Sequence, residues 1–315
     1  MTDALALAFD FGLAALVLIV ATWTLLTRET AAAAVGFVAY GLLLTLVWMR
    51  LAAPDVALTE AAIGSGVTGT LLLGAAARLR PTEAAAEAEQ PGKAMRFVVA
   101  LLCASVSAGI AGTILMLPDP APTLAAEAAA ALPETGLGNA VTAVLLSFRS
   151  IDTLLETVVL LLALLGVWSL APDRVWGGRP GPRDGAYQSE VLTFLAQILA
   201  PFGIVVAMHF FWIGADAPGG KFQAAAILAA MWILVQRAGL VDSPPVSRRW
   251  LRLVVVAGPV VFLAIGFLGS ATAGAFLAYP EGYAKPLIIA IEAALLPSLA
   301  VALALLVAGP PARTE

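Results

Sequence analysis

Nine apolar runs constrain this chain more than any single motif. Residues 4–27, 31–51, 57–77, 95–117, 150–171, 190–212, 221–238, 251–276 and 286–308 are nearly free of charge. A helix crosses a hydrocarbon core with about 20 such residues. Within a bilayer every backbone N–H and C=O must be satisfied inside the chain, so runs of this length fold as helices. They lack the short alternating pattern of a transmembrane barrel. The sequence therefore predicts an all-α integral membrane protein with about nine transmembrane helices.

Composition agrees and excludes several functions. Only 12% of the 315 residues are charged, against about 25% in a soluble domain, and the mean hydropathy is +0.96. The first residues, MTDA, carry an acid instead of Lys or Arg, and the apolar run from Leu5 to Leu26 is too long for a signal peptide. The single cysteine, Cys103, allows no intrachain disulfide and reads as a small packing residue. With one His and one Cys no metal, haem or iron–sulfur site is expected, and no cofactor. A net charge of −4 gives no case for nucleic acid.

Basic residues alternate between the loops. Arg28, Arg78, Arg80, Lys93, Arg96, Arg174, Arg179, Arg183, Arg237, Arg248, Arg249, Arg252 and Arg313 fall on one side, and only Arg50, Arg149, Lys221 and Lys285 on the other. By the positive-inside rule the N-terminus lies outside and the C-terminus is cytoplasmic. Two polar, Pro-containing stretches, 78–94 and 172–189, read as flexible cytoplasmic connectors. They divide the chain into a three-helix module (1–80), a two-helix module (95–171) and a four-helix module (190–310). The Ala-rich centre of 117–137 suits a short interfacial helix. Residues 139–149 fit either an interfacial helix or the fifth span.

Charge inside a membrane helix is costly, at about 2.5–3.5 kcal/mol near the bilayer centre, and marks function by default. In AVTAVLLSFRSIDTLLETVVLLL, Arg149, Asp152 and Glu156 fall three and four residues apart, on one helical face. Neutralisation of Asp152 by Arg149 would leave Glu156 as the group that changes protonation, a proton or cation relay. The alternative is an ion-pair network that docks a partner subunit. In LAAPDVALTEAAIGSGVTGTLLLG, Pro54 starts a helix with Asp55 in its first turn, which fits a terminal carboxylate or a functional one equally. Glu60 lies about 7.5 Å deeper. Gly64, Gly66 and Gly69 permit close packing or a π-bulge. A third stretch, HFFWIGADAPGGKFQAAAIL, reads as a structural hairpin. Pro218, Gly219 and Gly220 make its turn, Phe222 anchors it, and Lys221 adds a charge at the outer boundary. His209 reads as a hydrogen-bonded packing residue. Glu292 and the shallower Asp10 are further intramembrane carboxylates without a motif.

These three stretches, in this order, resemble parts of Mrp-type multisubunit Na⁺/H⁺ antiporters. APDVALTEAAIGSGVTG resembles the three-helix, MbhD-like module near the C-terminus of the family's large A-type subunit, found also as a small subunit of membrane-bound hydrogenases. SFRSIDTLLETVVLLLALLGVWSL resembles the two-helix, MbhE-like module that follows it, matching at Arg149, Asp152, Thr153 and Glu156. GADAPGGKFQAAAIL resembles the Pro-Gly-Gly-Gly-Phe-Gln hairpin of the B-type (MnhB-like) subunit, at Pro218, Gly219, Gly220, Phe222 and Gln223. Two positions depart from the pattern. Lys221 stands where the third glycine is usual, and Gly64 where many antiporter versions carry an acid, with Glu60 one turn earlier. Nothing resembles the large antiporter-like part of the A-type subunit.

The resemblance implies an accessory ion-path subunit of a cation/proton antiporter in a bacterial inner (cytoplasmic) membrane. It implies other membrane subunits as partners, among them a large antiporter-like one, with Na⁺ and H⁺ as the ions moved. Glu60, Asp152 and Glu156, with Asp55, would line the path while Arg149 sets their charge. Glu292, His209 and Lys221 are secondary candidates. The alternatives are a subunit of a redox-driven pump, such as a hydrogenase or a complex-I-like enzyme, and a purely structural scaffold.

Overall fold

A computed structural model describes residues 2–88, 92–120, 122–181 and 189–313 of the chain. Helices α1 (Thr2–Leu26) and α2 (Thr30–Arg50) form an antiparallel pair. Helix α3 (Pro54–Thr59) continues as a π-helix (Glu60–Val67) and then as α4 (Thr68–Ala88), so the third span contains a widened segment. Helices α5 (Lys93–Met116), α6 (Ala125–Thr135) and α7 (Ala140–Ala143) follow, and α7 runs into a second π-helix (Val144–Phe148). The remaining helices are α8 (Ser150–Ser169), α9 (Glu190–Ile213), α10 (Lys221–Arg237), α11 (Arg249–Thr272) and α12 (Ala284–Ala308).

All nine expected runs are helical. Eight helices among the described residues are long and apolar enough to cross a membrane. The remaining expected span, α10, has 17 residues, which is the lower limit for a crossing. The short helix expected in 117–137 is α6. The segment from Ala140 to Phe148 is bent by 90° from α6 and breaks from α8 at Arg149, whose φ is −131°. It is therefore a short element of its own, outside the fifth span.

Helix α12 is the central element. Its Ile288, Ile291, Leu295 and Leu299 share a core with Leu146 and Leu154, Ala224 and Ala225, and Phe262 of α11. Where α11 carries Pro259, the carbonyl of Val255 loses its helical N–H partner. Ser298 of α12 supplies the replacement, donating to Val255 O at 2.5 Å. Gly258 lets the two helices approach, since a Cβ there would press on Leu295 and Ser298. Helices α9 and α10 pack through small residues: Ala196, Ala200, Gly203 and Ala207 on one and Ala224, Ala225, Ala226 and Ala229 on the other are buried. Small side chains allow the dispersion contacts that hold helices together where lipid removes the hydrophobic drive. Ala62, Ile63 and Val67 of the first π-helix pack against Ala226, Ala229, Leu303 and Ala304, joining the first and last modules. Helix α5 buries none of its residues.

The stretch 172–189, expected to be a flexible connector, is folded in its described part. Asp173–Val175 forms a 3₁₀ turn, and strand β1 (Arg179–Pro180) pairs antiparallel with β2 (Pro311–Arg313). Residues 182–188, Arg183 among them, lie outside the described residues, as do 89–91 of the other connector. Gly178 permits the pairing, because a Cβ there would collide with the carbonyl of Arg313. Asp242 closes the clasp, accepting from Arg179 Nη1 at 2.7 Å and Arg313 Nη2 at 2.9 Å.

Partial burial pushes the Asp242 carboxyl up, but the hydrogen bond and charge of Arg313, with the charge of Arg179, outweigh it and hold it below its usual value. A carboxylate with a depressed folded-state pKa stabilises above its unfolded pKa, about 3.9, and loses that contribution as pH falls through the folded value. Its partners are partly exposed, so the global effect stays under about 1 kcal/mol. Asp242→Asn should raise amide exchange at Arg179 and Arg313 at pH 7, and should abolish the rise that the unaltered chain shows on acidification below about pH 4. Mass-resolved hydrogen exchange measures both.

Candidate ion path

Helices α3, α8, α10 and α12 start at the same end of the bundle, because each is preceded by a helix running the opposite way or by a loop at that end. Their N-termini carry partial positive charge from unpaired N–H groups. Asp55 and Asp152 lie in the first turns of α3 and α8, and Glu156 and Glu292 lie further along α8 and α12. At 1.5 Å per residue Glu156 lies about 9 Å, and Glu292 about 12 Å, beyond the first residue of its helix.

Asp55 is buried and ties three segments together. Its Oδ1 accepts from the Gly219 N–H at 3.0 Å and from Asn139 Nδ2 at 3.2 Å. Asn139 caps α7 through Oδ1, accepting from Val141 N at 2.8 Å, while Nδ2 also donates to Ala217 O at 2.9 Å. Gln223 Nε2 donates to Thr59 Oγ1 at 2.9 Å, and Thr142 Oγ1 to Gly214 O at 2.6 Å. The hairpin needs its glycines. Gly219 and Gly220 have φ of +152° and +129°, and a Cβ on Gly219 would stand 2.7 Å from Phe210 O. At the same end, Lys285 Nζ binds Asp216 at 2.6 Å, and this bond holds the Asp216 carboxyl below its usual pKa.

Arg149 and Asp152 are paired at 2.6 Å on the partly exposed start of α8. The break at Arg149 leaves the carbonyls of the preceding π-helix without helical partners. Thr153 Oγ1 donates to Leu145 O at 2.6 Å, Tyr279 Oη to Leu146 O at 2.6 Å and Ser150 Oγ to Ser147 O at 3.1 Å. Burial pushes the Tyr279 phenol up, so it remains a donor. One turn beyond the pair, Glu156 is exposed on the face of α8. It lies within the electrostatic field of both Lys221 and Asp152.

Lys221 is the largest departure from expectation. Its side chain is buried, not at an outer boundary, and its Nζ lies 3.6 Å from Glu292 Oε1 and 4.9 Å from the Phe222 ring centroid. Both side chains of this pair are 3% exposed. Glu292, without a sequence motif, thus acquires a partner. Asp55, Thr59, Gly220, Lys221, Gln223 and Glu292 share the wall of a cavity of about 220 Å³.

Glu60 occupies a separate place. It opens the first π-helix, and its carboxylate lies over Gly64 and beside Gly41 of α2, where a Cβ on either residue would crowd it. The acid that Gly64 lacks is therefore supplied to the same space from one turn earlier. Ser65 Oγ, which also fills the space beside Gly41, is buried without a partner. His209 is exposed on α9 with its ring 6.1 Å from that of Phe210, and takes no part in these bonds. Asp10 pairs with Arg50 through two bonds of 2.7 and 2.8 Å. No cluster of three or more His, Cys, Asp or Glu able to hold a metal occurs among the described residues. Asn139 and Tyr279 are contributors that motif reading passes over. Asn139 was detectable as a cap residue type before a helix, whereas Tyr279 carries no local signal.

Parts of the chain are similar to known proteins. Residues 15–81 match the MbhD family model, which describes the D-type subunit of MBH, and residues 191–310 match a domain related to the MnhB subunit of Na⁺/H⁺ antiporter. A probable K⁺/H⁺ antiporter A/B-type subunit of Rhizobium meliloti is 27% identical over 267 residues, covering 75% of this chain and 26% of that protein. The chain thus carries an MbhD-like segment and an MnhB-like segment, an arrangement that resembles a fusion of the smaller modules of Mrp-type antiporters. The putative antiporter protein mnhA2 of Staphylococcus saprophyticus is 33% identical over 130 residues, 41% of this chain and 16% of that one. The chain thus spans about a quarter or less of these relatives. A chain of the Mrp complex from Dietzia sp. shares the fold, with a TM-score of 0.72 and 21% identity over 97% of this chain and 35% of its own. So does a chain of an archaeal membrane-bound sulfane sulfur reductase, at 0.55 and 24% over 68% of this chain and 96% of its own.

Losing the buried Asp55 carboxylate leaves two donors unsatisfied, which costs about 1–3 kcal/mol. Asp55→Ala should lower the unfolding midpoint of the purified chain clearly, and Asp55→Asn, which keeps an acceptor oxygen, by less than half as much. A thermal scan in detergent measures the difference.

Proposed function

We propose that this chain is an accessory ion-path subunit of a multisubunit Mrp-type cation/proton antiporter in a bacterial cytoplasmic membrane. One observation carries the reading. Glu156 stands on the open face of α8, between the Arg149–Asp152 pair and the buried Lys221–Glu292 pair, in the field of Lys221. An ionisable group in that position can exchange a proton or a cation with the open face while its neighbours keep their charge balanced. The carboxylates are too few to cage a divalent ion and suit H⁺ or a hydrated monovalent cation. Sodium is the cation of this reading, which draws on the name of the MnhB family; potassium is the cation named for the Rhizobium relative.

The partners in this reading are other membrane subunits of the same complex, with a large antiporter-like subunit supplying the rest of the path. The excess of Arg at the end that holds the clasp supports a cytoplasmic setting for that end and an outer one for the first residue. The modules 1–80, 95–171 and 190–310 act as three units held by Asp55 and the hairpin. A second reading, a subunit of a redox-driven pump, draws support from the match to the MbhD model. Proteins that co-purify with the chain separate the two, because only the pump brings iron–sulfur or flavin proteins.

Glu156→Gln keeps the size of the side chain and removes its charge. In everted vesicles carrying the assembled complex, cation-driven proton exchange should fall at least about tenfold, as is usual for loss of a proton-transfer group, with subunit stoichiometry unchanged. Full exchange in this variant would overturn the relay. Repeating the assay with Na⁺ and K⁺ gradients identifies the cation.

A further inference from the structure

Helix α10 borders a second opening, towards the end far from Lys221. A groove of about 430 Å³ runs between the third span, α9, α10 and α12, and it shares no lining residue with the cavity beside Lys221. Its walls include Gly66 and Thr70 of the third span, Leu192 of α9, Ala230 and Ile233 of α10 and Val307 of α12. Gly66, Thr70 and Ala230 are exposed, so the groove is open to the side. Thr70 turns its hydroxyl back on the Gly66 carbonyl at 2.8 Å, which leaves the wall apolar until Arg237. From Ala226 to Arg237 the groove follows α10 for about 16 Å at the helical rise. That is about half of a 30 Å hydrocarbon core, the depth of one leaflet.

The Arg237 end differs in kind. Arg237 is exposed and has no hydrogen bond or ion pair among the described residues. A small hollow adjoins the groove there, sharing Ile233, Arg237 and Val307 with it and adding the polar side chains of Gln236 and Ser243. The Arg78 guanidinium lies beside Gly309, just past the end of α12, and it too has no acid partner among the described residues. The neighbouring clasp sets two arginines against the single Asp242. This end of the groove is therefore net positive.

We propose that the groove holds one acyl chain of an anionic phospholipid, with the lipid phosphate on Arg237 and Arg78 as a second positive charge at the same end. An apolar slot one leaflet deep, ending at an unpaired guanidinium, matches an amphiphile with a chain and one anionic end. A guanidinium takes two phosphate oxygens at once, and basic pockets between membrane helices receive such headgroups. A zwitterionic lipid would bring its own cation against these arginines. The bound chain lies between the first module and the last, beside the contact that Ala62, Ile63 and Val67 already make. The inference rests on a bilayer setting and stands apart from the transport reading.

The test uses the purified full chain, stripped of lipid in detergent, with dioleoyl phosphatidylglycerol and dioleoyl phosphatidylcholine as probes. Native mass spectrometry reads the one-lipid adduct across a titration. The phosphatidylglycerol adduct should half-saturate at a concentration at least about fivefold lower than the phosphatidylcholine adduct. Glycerol 3-phosphate, which carries the headgroup charge without the chains, should not displace it. Arg237→Gln should raise the half-saturating concentration about fivefold, and Arg237→Gln combined with Arg78→Gln should bind the two lipids alike. Both arginines are exposed, so the fold tolerates their loss. Ala230→Phe fills the groove from an exposed position and should lose the adduct with both arginines in place. Arg174→Gln removes an exposed charge outside the groove and should change nothing. Equal binding of the two lipids by the unaltered chain overturns the proposal, as does a preference that survives the double substitution. An adduct that survives Ala230→Phe, displacement by glycerol 3-phosphate, or a loss in Arg174→Gln as large as in Arg237→Gln also overturns it. A failure of antiport in the assembled complex leaves each of these outcomes unchanged.

Discussion

A carboxylate removed from water has to find donors, and Asp55 finds them on two other segments of the chain. Its Oδ1 holds the Gly219 N–H and Asn139 Nδ2, and the cap of α7 and the hairpin turn are fixed through it. Asn139 can cap α7 because its amide is oriented by Asp55 on one side and Ala217 O on the other. The hairpin can present Lys221 inward because Gly219 is fixed by the same carboxylate. In a low-dielectric interior such a bond is strong, and an unpaired member is costly. The three segments are therefore held in one arrangement, although much of their remaining contact is through small apolar side chains that would tolerate sliding.

The convergence of helix starts explains why acids collect at this end. Four helices begin there, and each supplies unpaired N–H groups and a positive dipole end. Asp55 and Asp152, in the first turns, are stabilised by that field, whereas Glu156 and Glu292 lie beyond its reach and depend on side-chain partners or exposure. Two π-helices sit in the same region. A π turn leaves carbonyls offset from their usual partners. At Val144–Phe148 the carbonyls are taken by Thr153, Ser150 and Tyr279. These bonds satisfy backbone carbonyls that the irregular turn would otherwise leave open, which a membrane setting requires.

Much of this was legible in the residues. The apolar runs locate the helices, since length and hydropathy are local properties. The Arg149–Asp152 pair follows from helical spacing alone, whereas the run of glycines beyond Glu60 allows close packing or a π-bulge, and a π-helix over Glu60–Val67 is what forms. The role of Lys221 was not legible. A lysine beside a Pro-Gly-Gly turn reads as a surface charge, and only the fold brings it against Glu292 from a distant helix. Glu60 shows the same limit in a milder form. Its sequence offset from Gly64 suggests a missing acid, while the side chain lies over that glycine and fills the space. The folded 172–181 stretch was hidden because its partner is the far C-terminal segment. Local pattern reports what a segment can become, and pairing between remote segments adds information that no window of sequence contains.

The distribution of exposure gives the ionisable groups their order. Lys221 and Glu292 are sealed, Asp152 is half open and Glu156 is exposed. An unpaired carboxylate facing hydrocarbon would cost more than a helix of this length can easily offset, so the open face of α8 requires polar cover from a neighbouring chain or water. A sealed pair needs no such cover, because its charges cancel within the molecule. Charge that is balanced internally can persist at depth, and charge that is open must be completed from outside. The two states stand side by side, with the open charge on α8 and the internally balanced pair at the hairpin.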